Sequence, residues 1–177
     1  MGIALTVVMR HEPIENPWVT HRWVIDELAV DVGQYVPFTI QEAFTFDHIK
    51  AYRLSDQQQI QRWLFTGFLV NLFVDEAEGY YLNVSSEKPC WFVMWRLEEI
   101  PGESDQTIAV PHRVMLSYNE AARLLDGGEQ VDQVPLDPLI LESIQQFVDE
   151  HYRPEVKKRH RPESFKGSAR GIERKEG

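Results

Sequence analysis

The chain has 177 residues, 43% of them hydrophobic and 26% charged, which suits one domain with a packed core and excludes a low-complexity chain. Its net charge of −10 is uneven: residues 1–152 hold 9 Lys+Arg against 24 Asp+Glu, whereas residues 153–177 hold 9 against 4. An acidic body repels DNA, RNA and anionic lipid, so neither a nucleic-acid nor a membrane partner is expected, and a lone cysteine, Cys90, leaves no intrachain disulfide or Cys-x-x-Cys motif.

The opening MGIALTVVMR has no basic residue before its apolar run and no small-residue cleavage site after it, so a signal peptide is not expected and a reducing cytoplasm is. MGIALT also fits the loose myristoylation pattern, but the same residues read well as a strand. Alternation predicts strands at residues 5–9, 18–32 (long or bent) and 44–54. Residues 60–74 are clearer still, with Leu64, Phe68, Val70, Leu72 and Val74 on one face. Turn signals at 75–79 and 85–89 then predict strands at 80–84 and 91–97, a meander of three consecutive strands. A polar loop at 101–106 leads to a last strand at 107–116, where Pro111 marks an edge or a bulge.

Helices follow. Ser117 stands as an N-cap with Glu120 three residues on, a capping box, and Gly127 sits where a C′ glycine would end the helix. Asp137 as N-cap and Pro138 at the first turn open a second helix, whose Ile140, Ile144, Phe147 and Val148 form one apolar stripe. Beyond Pro154 apolar residues almost vanish, and disorder is expected. The fold expected is α+β: an antiparallel meander sheet or partly closed barrel of about seven strands, then two C-terminal helices. One domain spans 1–154 and a disordered basic tail spans 155–177. The stretch PCWFVMWR is apolar on both strand faces, and the stripe of the last helix is the expected cover for the second.

Catalytic signals are sparse. The six histidines form no metal-binding pair on a helix, and neither a phosphate loop nor a Gly-x-Ser-x-Gly elbow is present. His11 and His21 would meet if the first two strands pair. Cys90, among large apolar residues, should have a raised pKa and be inert. Asn83-Val84-Ser85 is a formal glycosylation sequon, without meaning in an unsecreted protein. No catalytic residue, metal ligand or tightly bound cofactor is therefore assigned. Two stretches remain. In ENPWVTHRW, Trp18, His21, Arg22 and Trp23 lie close together; two indoles near an arginine suit cation–π or anion recognition, while simple alternation sends Trp23 inward and Arg22 outside. In the tail, Lys157, Lys158, Arg159, His160 and Arg161 form either a solubilising end or a docking segment for an acidic partner.

The stretches NPWVTHRW, EGYYLNVSSEKPCWFVMWR, SYNEAARLLDGGEQVDQVPL and FVDEHYRPEVKKRHRP, spread over residues 4 to about 161, resemble an uncharacterised bacterial family, a domain of unknown function. Its members are typically encoded beside molybdenum- or tungsten-dependent formate dehydrogenase genes, and some are labelled molybdopterin-guanine dinucleotide biosynthesis protein A. The chain lacks the glycine-rich N-terminal loop and the βαβ alternation of a guanylyltransferase for that cofactor. The resemblance therefore implies a non-catalytic accessory protein of formate dehydrogenase, acting in assembly or cofactor insertion, with the dehydrogenase or its maturation factors as partner. The alternative is a small-molecule-binding barrel carrying a molybdopterin-type anion, in which Arg22, Arg96 and Arg113 would converge on one aromatic-lined pocket.

Overall fold

The computed structural model describes residues 2–35, 44–57 and 59–156; the tail residues Lys157, Lys158, Arg159, His160 and Arg161 lie outside them. The described elements are β1 (Gly2–Pro13), β2 (His21–Val30), β3 (Phe44–Phe46), β4 (Ile49–Gln57), β5 (Ile60–Asn71), α1 (Ala77–Val84), β6 (Cys90–Ile100), β7 (Glu103–Met115), α2 (Tyr118–Asp126), β8 (Gln130–Pro135) and α3 (Pro138–His151). A 3-10 turn at Val74–Glu76 leads into α1.

Two antiparallel sheets form, ordered β2-β1-β5-β4-β3 and β7-β6-β8. Leu5, Val7 and Met9 of β1 and Trp63 and Phe65 of β5 share one buried core with Trp91 and Trp95 of β6 and with Ile144 and Val148 of α3. Each such side chain contributes roughly 1.5–3 kcal/mol when fully buried. The chain is thus α+β, but the expected partly closed barrel is two open sheets whose inner faces meet.

The meander is also corrected. The segment read as a strand at 80–84 is helix α1. Ala77, Tyr80 and Asn83 are its buried side, a helical spacing of three, and Tyr81 and Val84 also pack on the core. Tyr80, Leu82 and Val84 happened to satisfy the two-residue period as well. Consequently β5 and β6 belong to different sheets. The segment at 44–54 divides into β3 and β4 at a tight turn, where Asp47 takes φ 54°. The strand expected at 18–32 shortens to β2, leaving Trp18 in a loop. β8 escaped sequence reading because its valines lie three apart: Val134 pairs with Trp91 on the inner face and Val131 with Met94 on the outer.

From Cys90 to Trp95 both faces of β6 are covered by the chain itself; beyond them Arg96 and Leu97 are exposed. The Trp91–Trp95 side meets the larger sheet and α3. The Cys90–Phe92–Met94 side packs with Met115, Ala121, Leu124 and Val131, so α2 closes it, while the stripe of the last helix lies on the Trp91–Trp95 side. Pro111 sits where expected: β7 is an edge strand, and its register slips between the Met94–Arg113 and Trp95–Pro111 pairs, leaving His112 as the bulge residue. Ser117 caps α2 by accepting from Glu120 N at 3.2 Å. The C-terminus of α2 is a Schellman motif with Gly127 as C-cap and Gly128, at φ 84°, in the left-handed C′ position expected of Gly127. Asp137 caps α3 through Leu139 N at 2.8 Å, with Pro138 following.

Candidate functional site

The β1–β2 hairpin carries the first group of candidate residues. Its loop is pinned: Trp18 N donates to Asn16 Oδ1 at 2.8 Å, an Asx-type turn, and Ile14 N donates to Thr20 O at 3.0 Å. Held there, the Trp18 indole is 90% exposed, with Val19 beside it in sequence also exposed. Pairing of Pro13 with His21 and His11 with Trp23 then sorts the remaining residues. The His11 ring stacks on Trp23 at 4.6 Å and on His21 at 5.0 Å, and Trp23 packs partly buried against the main core. Burial and the neighbouring His21 hold the His11 pKa below its ordinary value.

Arg22 pairs with Glu12, its Nε donating at 2.9 Å. It begins a chain of charges: Glu12 also lies 2.9 Å from Arg10 Nε, Arg10 Nη1 lies 2.6 Å from Asp26, and Asp26 bonds Arg62 at 2.9 Å. The Arg10 Nε contact is electrostatic, not a directed hydrogen bond, so this buried nitrogen has no hydrogen-bond partner among the described residues. Hydrogen bonding from Arg22 keeps the Glu12 pKa below its usual range. Among the described residues a cation–π contact forms elsewhere, Arg53 of β4 over Trp63 of β5 at 4.9 Å. Arg53 carried no distinguishing sequence signal.

Arg96 and Arg113 lie on the other sheet. Arg96 Nε donates to Glu129 at 3.0 Å and makes a second bond to the same carboxylate, while Arg113 pairs with Glu120 of α2. The Arg96 bond holds the Glu129 carboxyl below its ordinary pKa. The three arginines expected to converge are therefore split between two sheets, each fork occupied by its own carboxylate.

Asn83, read only as part of a sequon, and Ser117, read only as an N-cap, also tie the helices into the fold. Asn83, 1% exposed, donates through Nδ2 to Cys90 O and Leu116 O at 2.8 Å each, and its Oδ1 accepts from Cys90 N at 3.0 Å. This buried amide is the asparagine of the formal sequon. Burial pushes the Cys90 thiol up to about 11, the inert behaviour its neighbours suggest. Ser117 Oγ donates to Glu76 at 2.7 Å, and Arg123 reaches the same carboxylate at 3.2 Å. Those bonds, Ser117 first, hold Glu76 below its usual pKa.

Beside this seam a half-open cleft of about 530 Å³ is floored by Phe68, Val70 and Leu116, with His48 at one end and Phe73, Asp75 and Glu76 at the other. Among the described residues no group of three or more His, Cys, Asp or Glu is placed to hold a metal ion, and no helix is long and apolar enough to cross a membrane. Gly2, of the myristoylation pattern, opens β1 opposite Asn71.

No curated protein and no solved structure matches the chain. A family model does, over residues 4–161, and the chain belongs to the family described as "Protein of unknown function (DUF3305)".

Proposed function

We propose that this chain is a non-catalytic accessory protein of molybdenum- or tungsten-dependent formate dehydrogenase, acting in the cytoplasm in assembly of the enzyme or insertion of its cofactor. The resemblance described above supplies the setting. The observation that carries a docking role is the exposure of Trp18 on a loop fixed by two hydrogen bonds. A large exposed aromatic side chain on a pre-organised turn loses little entropy on binding, and tryptophan is enriched among interface hot spots. The stacked His11, His21 and Trp23 stiffen the root of that hairpin.

The basic segment with Lys157, Lys158, Arg159 and Arg161 supplies a second contact, to an acidic surface of the partner. A carrier for a molybdopterin-type anion finds less support, because Arg22, Arg96 and Arg113 are apart and already paired. The test is capture from the native host grown on formate, with mass spectrometry of recovered proteins and of any released pterin. Recovery of the dehydrogenase or its maturation factors, without pterin, is the expected result. Raising salt from roughly 0.05 M to 0.5 M should reduce it, as screening weakens the tail contact. Pterin on the isolated chain, or no dehydrogenase partner at any salt, would overturn the reading.

A further inference from the structure

The cleft beside β5 has the form of a missing strand. Pairing between β4 and β5 stops at Lys50 and Thr66, whereas β5 continues to Asn71, paired there with β1 alone. Residues 67–71 thus have β1 on one side and, among the described residues, no strand on the other. The reason is local. Gly67, at φ 100°, is a bulge residue, and a Cβ there would sit 2.3 Å from His48 O. The β3–β4 turn is seated against that glycine and ends the β4 row. Past the turn, where β4 would continue, lies the cleft. Its far wall is the end of β7, itself an edge strand.

Two further observations fall at the same place. Leu69, Phe73 and Val74, at or beside the rim, are 62%, 61% and 56% exposed, so the rim is apolar and open to solvent. The charge lining the cleft is acidic: Asp75, Glu76 and Glu120 against Arg113. Glu120 is engaged by Arg113 and Glu76 by Ser117 and Arg123, but Asp75 has no hydrogen bond or ion pair among the described residues. We propose that this cleft is a strand-addition slot, which takes an extended segment of a partner protein carrying apolar and basic residues in alternation. The segment adds beside residues 67–71, sets an apolar side chain on Phe68 and Val70, and presents lysine or arginine to Asp75. Main-chain bonds to the open edge supply affinity and the pockets supply selectivity. Four to five residues of strand, about 13–17 Å, span the slot.

The test uses the isolated full chain, so it stands or fails independently of any formate dehydrogenase partner. The probe is a capped nonapeptide of alternating valine and lysine, at about 2 mM, a level suited to the weak affinity of a single short strand. Hydrogen–deuterium exchange at residues 67–71 should slow at least fivefold, while exchange in β2, the outermost strand at the opposite end of the sheet, is unchanged. Backbone N-methylation of alternate peptide residues, a valine–glutamate peptide of the same length, and the variants Phe73→Ala and Asp75→Asn should each reduce that protection at least threefold. No protection at 67–71, equal protection at β2, or equal protection by the N-methylated peptide would each overturn the proposal.

Discussion

Asn83 holds Cys90 by both of its main-chain groups, accepting from its N–H at 3.0 Å and donating to its carbonyl at 2.8 Å. The same amide reaches Leu116 O, so one side chain fastens α1 to the start of β6 and the end of β7. Replacing it by alanine leaves three buried main-chain groups without partners. Asn83→Ala should therefore cost about 3 kcal/mol or more, read as a fall in the urea midpoint at unchanged slope. A loss below about 1 kcal/mol would mean that water reaches the seam.

Gly79 and Ser117 form the second joint between α1 and the α2 cap. A Cβ on Gly79 would sit 2.0 Å from Ser117 Oγ, a separation no packed pair adopts. Gly79→Ala should destabilise by about 2 kcal/mol, and Ser117→Ala by about 1 kcal/mol through the lost cap. The double variant should lose less than the sum, because removing Oγ makes room for the new methyl. Additive losses would show that the α1–α2 approach is not fixed by this contact.

Acid should weaken the fold in two stages. His11 has a folded pKa below that of the unfolded chain, so the unfolded state takes up its proton first and stability falls as pH drops through and below about 6.5. Glu12, Glu76 and Glu129 are also depressed; their stabilisation is present above the unfolded carboxylate pKa and is lost as pH falls below it. The variant His11→Phe should remove the upper stage and leave the lower one, in thermal melts between about pH 4 and 8. An upper stage that survives the substitution would assign it elsewhere.

Cys90 should be unreactive in the folded chain. Its pKa is raised to about 11 and its side chain is buried, so alkylation by iodoacetamide at pH 8 should proceed only through unfolding. The rate should rise with urea in parallel with global unfolding. Fast labelling in native buffer would indicate that α2 opens independently of the rest of the chain.

Much of the scaffold was legible because local chemistry dictated it. Alternation located β1, β5 and β6; Ser117, Asp137 and Pro138 fixed helix starts; Pro111 marked an edge and a bulge. Segments whose signal is tertiary were not legible. The run in α1 fits both periods, and only packing of Ala77, Tyr80 and Asn83 decides for a helix. The valines of β8 serve opposite faces, so no alternation exists to be read. At the candidate site, alternation correctly divided Trp23 from Arg22, but the partners of Arg22, Arg96 and Arg113 come from 10, 33 and 7 residues away, beyond reach of spacing. The open edge at 67–71 depends on where β4 ends, a consequence of Gly67 that no motif announces.

The docking role of Trp18 is tested most directly by parallel capture with the tagged full chain and its Trp18→Ala variant from the native host grown on formate. The side chain is solvent-exposed, so the variant should keep the parent's urea midpoint within about 0.5 kcal/mol. The parent should enrich formate dehydrogenase subunits or their maturation factors at least tenfold over the variant. Equal recovery by both chains, or recovery of none of these proteins by either, would contradict that role.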